Sequence, residues 1–185
     1  MKDIIQSFLP WILYFILIGP SQQQLTTAII VATAVFLFFG FRELRKGFIL
    51  SWGSLFFFVF MFIAIVIIKN TWVAGHAWIF SNGTLALIAW ISLFIGQPFT
   101  LQYAKEMVLA DRWQHPIFIR INQILTAMWG SIFLFSVGVH VLRIYYPAWP
   151  SWLYEVLSDG ATVMGVWFTT WFPSWYRKRK LKVEE

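Results

Sequence analysis

The sequence predicts an all-α polytopic membrane protein, a bundle of about six transmembrane helices with both termini cytoplasmic. Three observations carry that prediction. Only 12% of the 185 residues are charged, against 59% hydrophobic and 21% aromatic, whereas a soluble domain carries about 25% charged residues to keep its surface wet. Six apolar segments follow one another between polar or turn-forming interruptions. Basic residues gather on alternate connections between those segments. No stretch is polar enough to form a second, soluble domain, so residues 1–185 read as a single transmembrane domain.

The segments span residues 4–18, 25–41, 48–68, 77–96, 117–146 and 152–176. A helix needs about 20 residues to cross a bilayer, and the last four segments meet that length. The first two are shorter. Gly19-Pro20-Ser21 between them is a turn signal, and the uncharged connection 19–24 reads as the tip of a helical hairpin. The first segment is preceded by Lys2, offset by Asp3, and no small-residue cleavage site follows it. It therefore reads as a retained span rather than a signal peptide.

Orientation follows from the basic residues. Twelve of the fourteen lie before the first segment (Lys2), after the second (Arg42, Arg45, Lys46), after the fourth (Lys105, Arg112, Arg120) or after the sixth (residues 177–182). The opposite side has Lys69 and Arg143. Lys and Arg accumulate on the cytoplasmic side, which places both termini there and makes 177–185 a short basic cytoplasmic tail. The +6 formal charge is concentrated in this pattern, so it reads as topology and not as a nucleic-acid surface. Interfacial aromatics agree with this arrangement: Trp72, Trp78, Tyr145, Tyr146, Trp149, Trp152 and Tyr154 fall at one boundary, and Trp113, Trp171, Trp175 and Tyr176 at the other.

The longest cytoplasmic connection, 97–116, carries Phe99, Tyr103 and Met107 at four-residue intervals beside Ala104 and Val108. That spacing predicts a short amphipathic helix lying on the membrane. Its apolar face serves as an ordered elbow or as a docking surface for a cytoplasmic partner. Pro116 suits the first turn of the helix that follows.

Ionisable groups inside spans are costly and call for partners. Glu155 and Asp159 sit four residues apart on the sixth segment, and reflection about the turn 146–151 sets Arg143 against Glu155 and His140 against Asp159. This predicts a two-rung polar ladder. The rungs either fix the register of the hairpin, form a protonatable outer-leaflet site, or snorkel independently to the interface.

With no cysteine, thiolate chemistry and disulfides are excluded. His76, His115 and His140 have no metal-ligand spacing, and no nucleophile elbow, phosphate loop or dinucleotide fingerprint occurs. No catalytic residue, metal or cofactor is expected. Ala161, Gly165 and Thr169 form a small-residue stripe on the sixth segment, and Ala127 with Ser131 a shorter one on the fifth. Both suit close helix packing.

The order of landmarks resembles the intracellular septation protein A family of bacterial inner-membrane proteins. The residues that carry the resemblance are Phe8-Leu9-Pro10, Ile30-Val31-Ala32-Thr33-Ala34, the basic 42–46 turn, Pro98, Lys105-Glu106, Leu109, Asp111, Asn122 and Trp129. The resemblance implies a cytoplasmic-membrane protein of the cell envelope, linked to division, with no established reaction and no catalytic residues to carry over. The expected partners are the lipid bilayer and other membrane proteins or further copies of the chain. The alternative is a small proton-coupled transporter or channel using the acidic pair, and an enzyme acting on a lipid-soluble substrate comes third.

Overall fold

The computed structural model describes residues 2–19 and 21–181, with side chains for 8–19 and 21–180. Pro20 of the first turn, the Lys2 side chain and tail residues 182–185 lie outside the described residues. Among the described residues the fold is helical throughout, without a β-strand. The helices are α1 (Lys2–Leu17), α2 (Gln22–Phe39), α3 (Phe41–Lys46), α4 (Ile49–Met61), α5 (Thr71–Gly75), α6 (Ala77–Phe94), α7 (Phe99–Lys105), α8 (Pro116–Tyr145) and α9 (Ser151–Leu181).

Each of the six apolar segments is helical. Four helical stretches are both long and apolar enough to cross a membrane: Gln22–Phe39, Ile49–Ile67, Ala77–Phe94 and Pro116–Tyr145. The apolar part of α1, Phe8–Leu17, is shorter. Helix α9 has the length, 31 residues, but it interleaves Glu155, Asp159 and six Ser or Thr residues with its aromatics, which lowers its average apolarity.

The chain divides into two compact units, Met1–Thr84 and Leu85–Glu185. In the first unit, α1 and α2 form the expected hairpin. Ser21 caps α2 in a reciprocal arrangement: the Gln24 N–H donates to Ser21 Oγ at 3.1 Å, and the Ser21 N–H donates to Gln24 Oε1 at 3.2 Å. Two orphan donors of the helix start are thereby satisfied. Ala28 and Ala32 are fully buried on α2, where small side chains let neighbouring backbones approach. The core of this unit is aromatic. Trp11 stacks on Phe57 at 4.8 Å, and Tyr14 meets the same ring edge-on at 5.6 Å. The indole N–H of Trp11 donates to Ser54 Oγ at 2.7 Å, and that hydroxyl donates to the Leu50 carbonyl. The buried polar atoms of this pair are thus matched, as an apolar surrounding requires.

The basic turn after α2 is the helix α3, which ends at Gly47 with φ 74°. That left-handed conformation favours glycine. After Met61 the ladder loosens into a π-helical stretch, Phe62–Ile67, in which the Ile68 N–H donates five residues back to the Ile63 carbonyl. Periodicity alone had no means of signalling this change of ladder. Lys69 then takes a positive φ of 56°, and Asn70 caps α5 through a 3.0 Å bond from the Val73 N–H.

Candidate functional site

In the second unit the hairpin of α8 and α9 carries the ionisable residues. His115 caps α8 by accepting from the Ile117 N–H, and Pro116 occupies the first turn, where a missing N–H costs nothing. Among the buried or half-buried residues of α9, Tyr154, Ser158, Ala161, Gly165, Phe168 and Phe172 form a continuous stripe, with Leu153, Thr169, Pro173 and Tyr176 beside or beyond it. The residues of the stripe alternate four and three apart, the spacing of a helix pair packed nearly parallel to its partner.

Facing them, Trp129, Ser136 and Arg143 recur every seventh residue of α8, and each reaches α9. The Trp129 indole N–H donates to Thr169 Oγ1 at 3.0 Å. The Ser158 hydroxyl donates to Ser136 Oγ at 3.0 Å in a buried contact. Arg143 Nη1 stands 3.9 Å from Glu155 Oε1. Near the start of α8 the seam is apolar, built on Ile121, Leu125 and Phe172. Gly165 lies at the closest approach: a Cβ there would fall 2.6 Å from Ile132 Cδ1 and 3.2 Å from the Trp129 ring. Thr169 also bonds back to the Gly165 carbonyl at 2.8 Å. The small stripe 161–165–169 therefore serves packing within the hairpin. Its counterpart does not, because Ser131 is exposed and bonds to Ala127 of its own helix.

In the expected ladder, Arg143 and Glu155 approach each other, but their side chains are 42% and 62% exposed. The second pair, His140 and Asp159, interacts electrostatically across the hairpin, with the two groups in unlike surroundings. His140 is buried, and its Nδ1 lies 2.7 Å from the Ser136 carbonyl oxygen of its own helix. Asp159 is exposed. Reflection about the turn sets depth along the two helices but not angle around them, and successive helical residues differ by about 100°. Ser158 takes the buried position, and Asp159 beside it is exposed while still acting electrostatically on His140. The buried hydroxyl rung of the seam is Ser136–Ser158, one turn of α8 from His140 and one residue of α9 from Asp159. The signal available was spacing: Ser136 stands seven residues from Trp129, and Ser158 seven from Gly165.

The face of Phe99, Tyr103 and Met107 is corrected. Phe99 and Tyr103 are each only 5% exposed, while Met107 is 54% exposed. Helix α7 stops at Lys105, so Met107 falls in the following turn and does not share its face. The elbow is latched to its neighbours. The Phe99 N–H donates to Ser92 Oγ at 3.0 Å. The Thr100 hydroxyl donates to the Asn122 carbonyl and lies 2.8 Å from Thr126 Oγ1. The Trp113 indole N–H donates to the Lys105 carbonyl at 3.1 Å, beneath the Lys105 ammonium. Phe99 and Tyr103 are thus anchors of an elbow within the fold.

The histidines stand apart in role. His76 ends α5 with its ring against the Trp72 carbonyl, His115 caps α8 and His140 is buried in the seam.

No protein-family model, curated protein or solved structure matches this chain.

Proposed function

We propose that this chain is a non-enzymatic integral protein of a bacterial cytoplasmic membrane, crossing it six times with both termini in the cytoplasm. It acts in the cell envelope through membrane partners, as the resemblance to the septation protein A family implies. The observation that best supports a packing role is the use of polar groups in the α8–α9 hairpin. Its hydroxyls, indole N–H and buried imidazole bond to one another or to helix carbonyls, an arrangement that fixes a register. The twelve-to-two division of basic residues supports the topology. Counting α1 and α9 as spans rests on the same division, since without both of them the basic residues would divide eight to six.

Two measurements test this reading. A C-terminal alkaline phosphatase fusion, active only outside the cytoplasm, is expected to be silent, and activity would refute the six-span topology. Deletion of the gene is expected to alter cell length or envelope permeability, with rescue by the wild-type chain. Normal cells on both measures would refute the envelope role.

One observation favours a second reading, a small proton-coupled transporter. Asp159 is exposed and lies about 12 Å along the helix from Ser151. A carboxylate at that depth in a span, acting electrostatically on a buried imidazole, His140, is a functional candidate. Proteoliposomes with an imposed pH gradient decide between the readings. Proton flux in the wild type that Asp159→Asn abolishes would establish transport.

A further inference from the structure

The end of α9 carries a second polar feature that the hairpin seam does not use. Trp167, Trp171, Trp175 and Arg179 follow at four-residue intervals and form one continuous ridge. Trp167 stacks on Trp171 at 5.3 Å with planes 8° apart, Trp171 on Trp175 at 5.4 Å, and the Arg179 guanidinium lies 5.3 Å over the Trp175 ring. All four residues are exposed. At the basic end of this ridge is an open cavity of about 350 Å³, lined by Trp175, Tyr176, Arg179 and Lys180.

From Ser151 to Tyr176 the helix runs about 39 Å at 1.5 Å per residue, longer than the roughly 30 Å hydrocarbon core. With α9 as a span, Arg179 and Lys180 emerge at headgroup depth while the tryptophan ridge remains among acyl chains. Arg177 is committed elsewhere, its Nε donating to the Pro173 carbonyl at 3.0 Å. A helix C-terminus carries a partial negative charge, so an anion here is held by side chains and not by the dipole. We propose that this cavity is a binding site for the headgroup of an anionic phospholipid, with Arg179 and Lys180 on the phosphate and the glycerol region against Trp175 and Tyr176. The lipid's acyl chains run along Trp171 and Trp167. Continuity of the cavity with that apolar ridge selects a membrane lipid over free phosphate, which would use only the cationic end.

The test is native mass spectrometry of the full chain in mixed micelles of phosphatidylglycerol and phosphatidylcholine with matched acyl chains. Its readout does not depend on which side the termini face, so it fails or succeeds separately from the topology above. Wild-type protein is expected to retain phosphatidylglycerol preferentially, and the Arg179→Gln/Lys180→Gln variant to lose about tenfold in that preference. Arg177→Gln/Lys178→Gln is expected to keep most of it. Equal retention of the two lipids by the wild type would overturn the site. Equal losses in the two double variants would overturn it too, because they indicate a diffuse basic tail. Displacement of the lipid by millimolar inorganic phosphate would assign the cavity to free phosphate instead. Should the glutamine variant unfold, Arg179→Lys/Lys180→Arg keeps both charges, and loss of preference in that folded variant would equally overturn the proposal.

Discussion

Ser136 and Ser158 meet hydroxyl to hydroxyl at 3.0 Å across the α8–α9 seam, both buried. They stand one turn of α8 from His140 and one residue of α9 from Asp159, the pair that reflection of the sequence set together. A net contribution of about 1 kcal/mol is ordinary for such a bond. Ser158→Ala is expected to lower stability by about that amount. The double variant with Ser136→Ala should cost less than the sum of the singles, since removing both partners leaves no buried hydroxyl unmatched. Thermal melting in detergent measures the cycle, and strict additivity would show that the bond carries no coupling.

Gly165 and Gly160 differ by less than two turns of α9 but not in surroundings. A Cβ at Gly165 meets Ile132 and the Trp129 ring, whereas nothing lies within 4 Å of one at Gly160. Trp129 is held in place by its bond to Thr169, so it yields poorly. Gly165→Leu is expected to destabilise by about 1–3 kcal/mol through overpacking. Gly160→Ala should be neutral or stabilising by up to about 1 kcal/mol, from helix propensity alone. A tolerated leucine at position 165 would mean that the two helices are not closely packed there.

Arg143 and Glu155 form the weak rung. At 3.9 Å and largely exposed, the pair gains little in stability, and exposed pairs are typically worth about 0.2–1 kcal/mol. Arg143→Ala and Glu155→Ala should each shift unfolding by no more than about 1 kcal/mol, with a coupling smaller still. A coupling of about 3 kcal/mol, the scale of a broken buried pair, would contradict the exposure of the two side chains.

The sequence reading reached the helical segments because hydropathy and turn residues act locally. The turn signal at Gly19 and Ser21 sits where chain composition changes, and the α1–α2 hairpin follows from it. Angular placement was not legible. Phe99 and Tyr103 read as apolar at helical spacing, but spacing does not say whether protein or lipid covers that face, and the latch from Thr100 to Asn122 links residues 22 apart. His140 and Asp159 share a depth, yet the direction each faces depends on how α8 and α9 rotate against one another. That rotation is set by Gly165 and the heptad seam, features of packing rather than of charge.

Helix α7 is seven residues long, far below the dozen or more that make an isolated helix even marginal in water, so its order depends on its anchors. Thr100 is the most economical of these to remove. Its hydroxyl donates to the Asn122 carbonyl and lies 2.8 Å from Thr126 Oγ1, whose residue is fully buried. Thr100→Val keeps the shape and deletes the polar atom, leaving Thr126 without its partner on α7 at a cost of about 1–3 kcal/mol. Hydrogen exchange of the amides in Phe99–Lys105 should accelerate, while exchange in the middle of α8 stays unchanged, because the helix ladder there is independent of α7. Thr100→Ser restores the hydroxyl and should restore protection. The Phe99 N–H bond to Ser92 remains in every variant, so the start of α7 should exchange more slowly than its end. Unchanged protection across α7 in Thr100→Val would show that Phe99 and Tyr103 hold the elbow by burial alone.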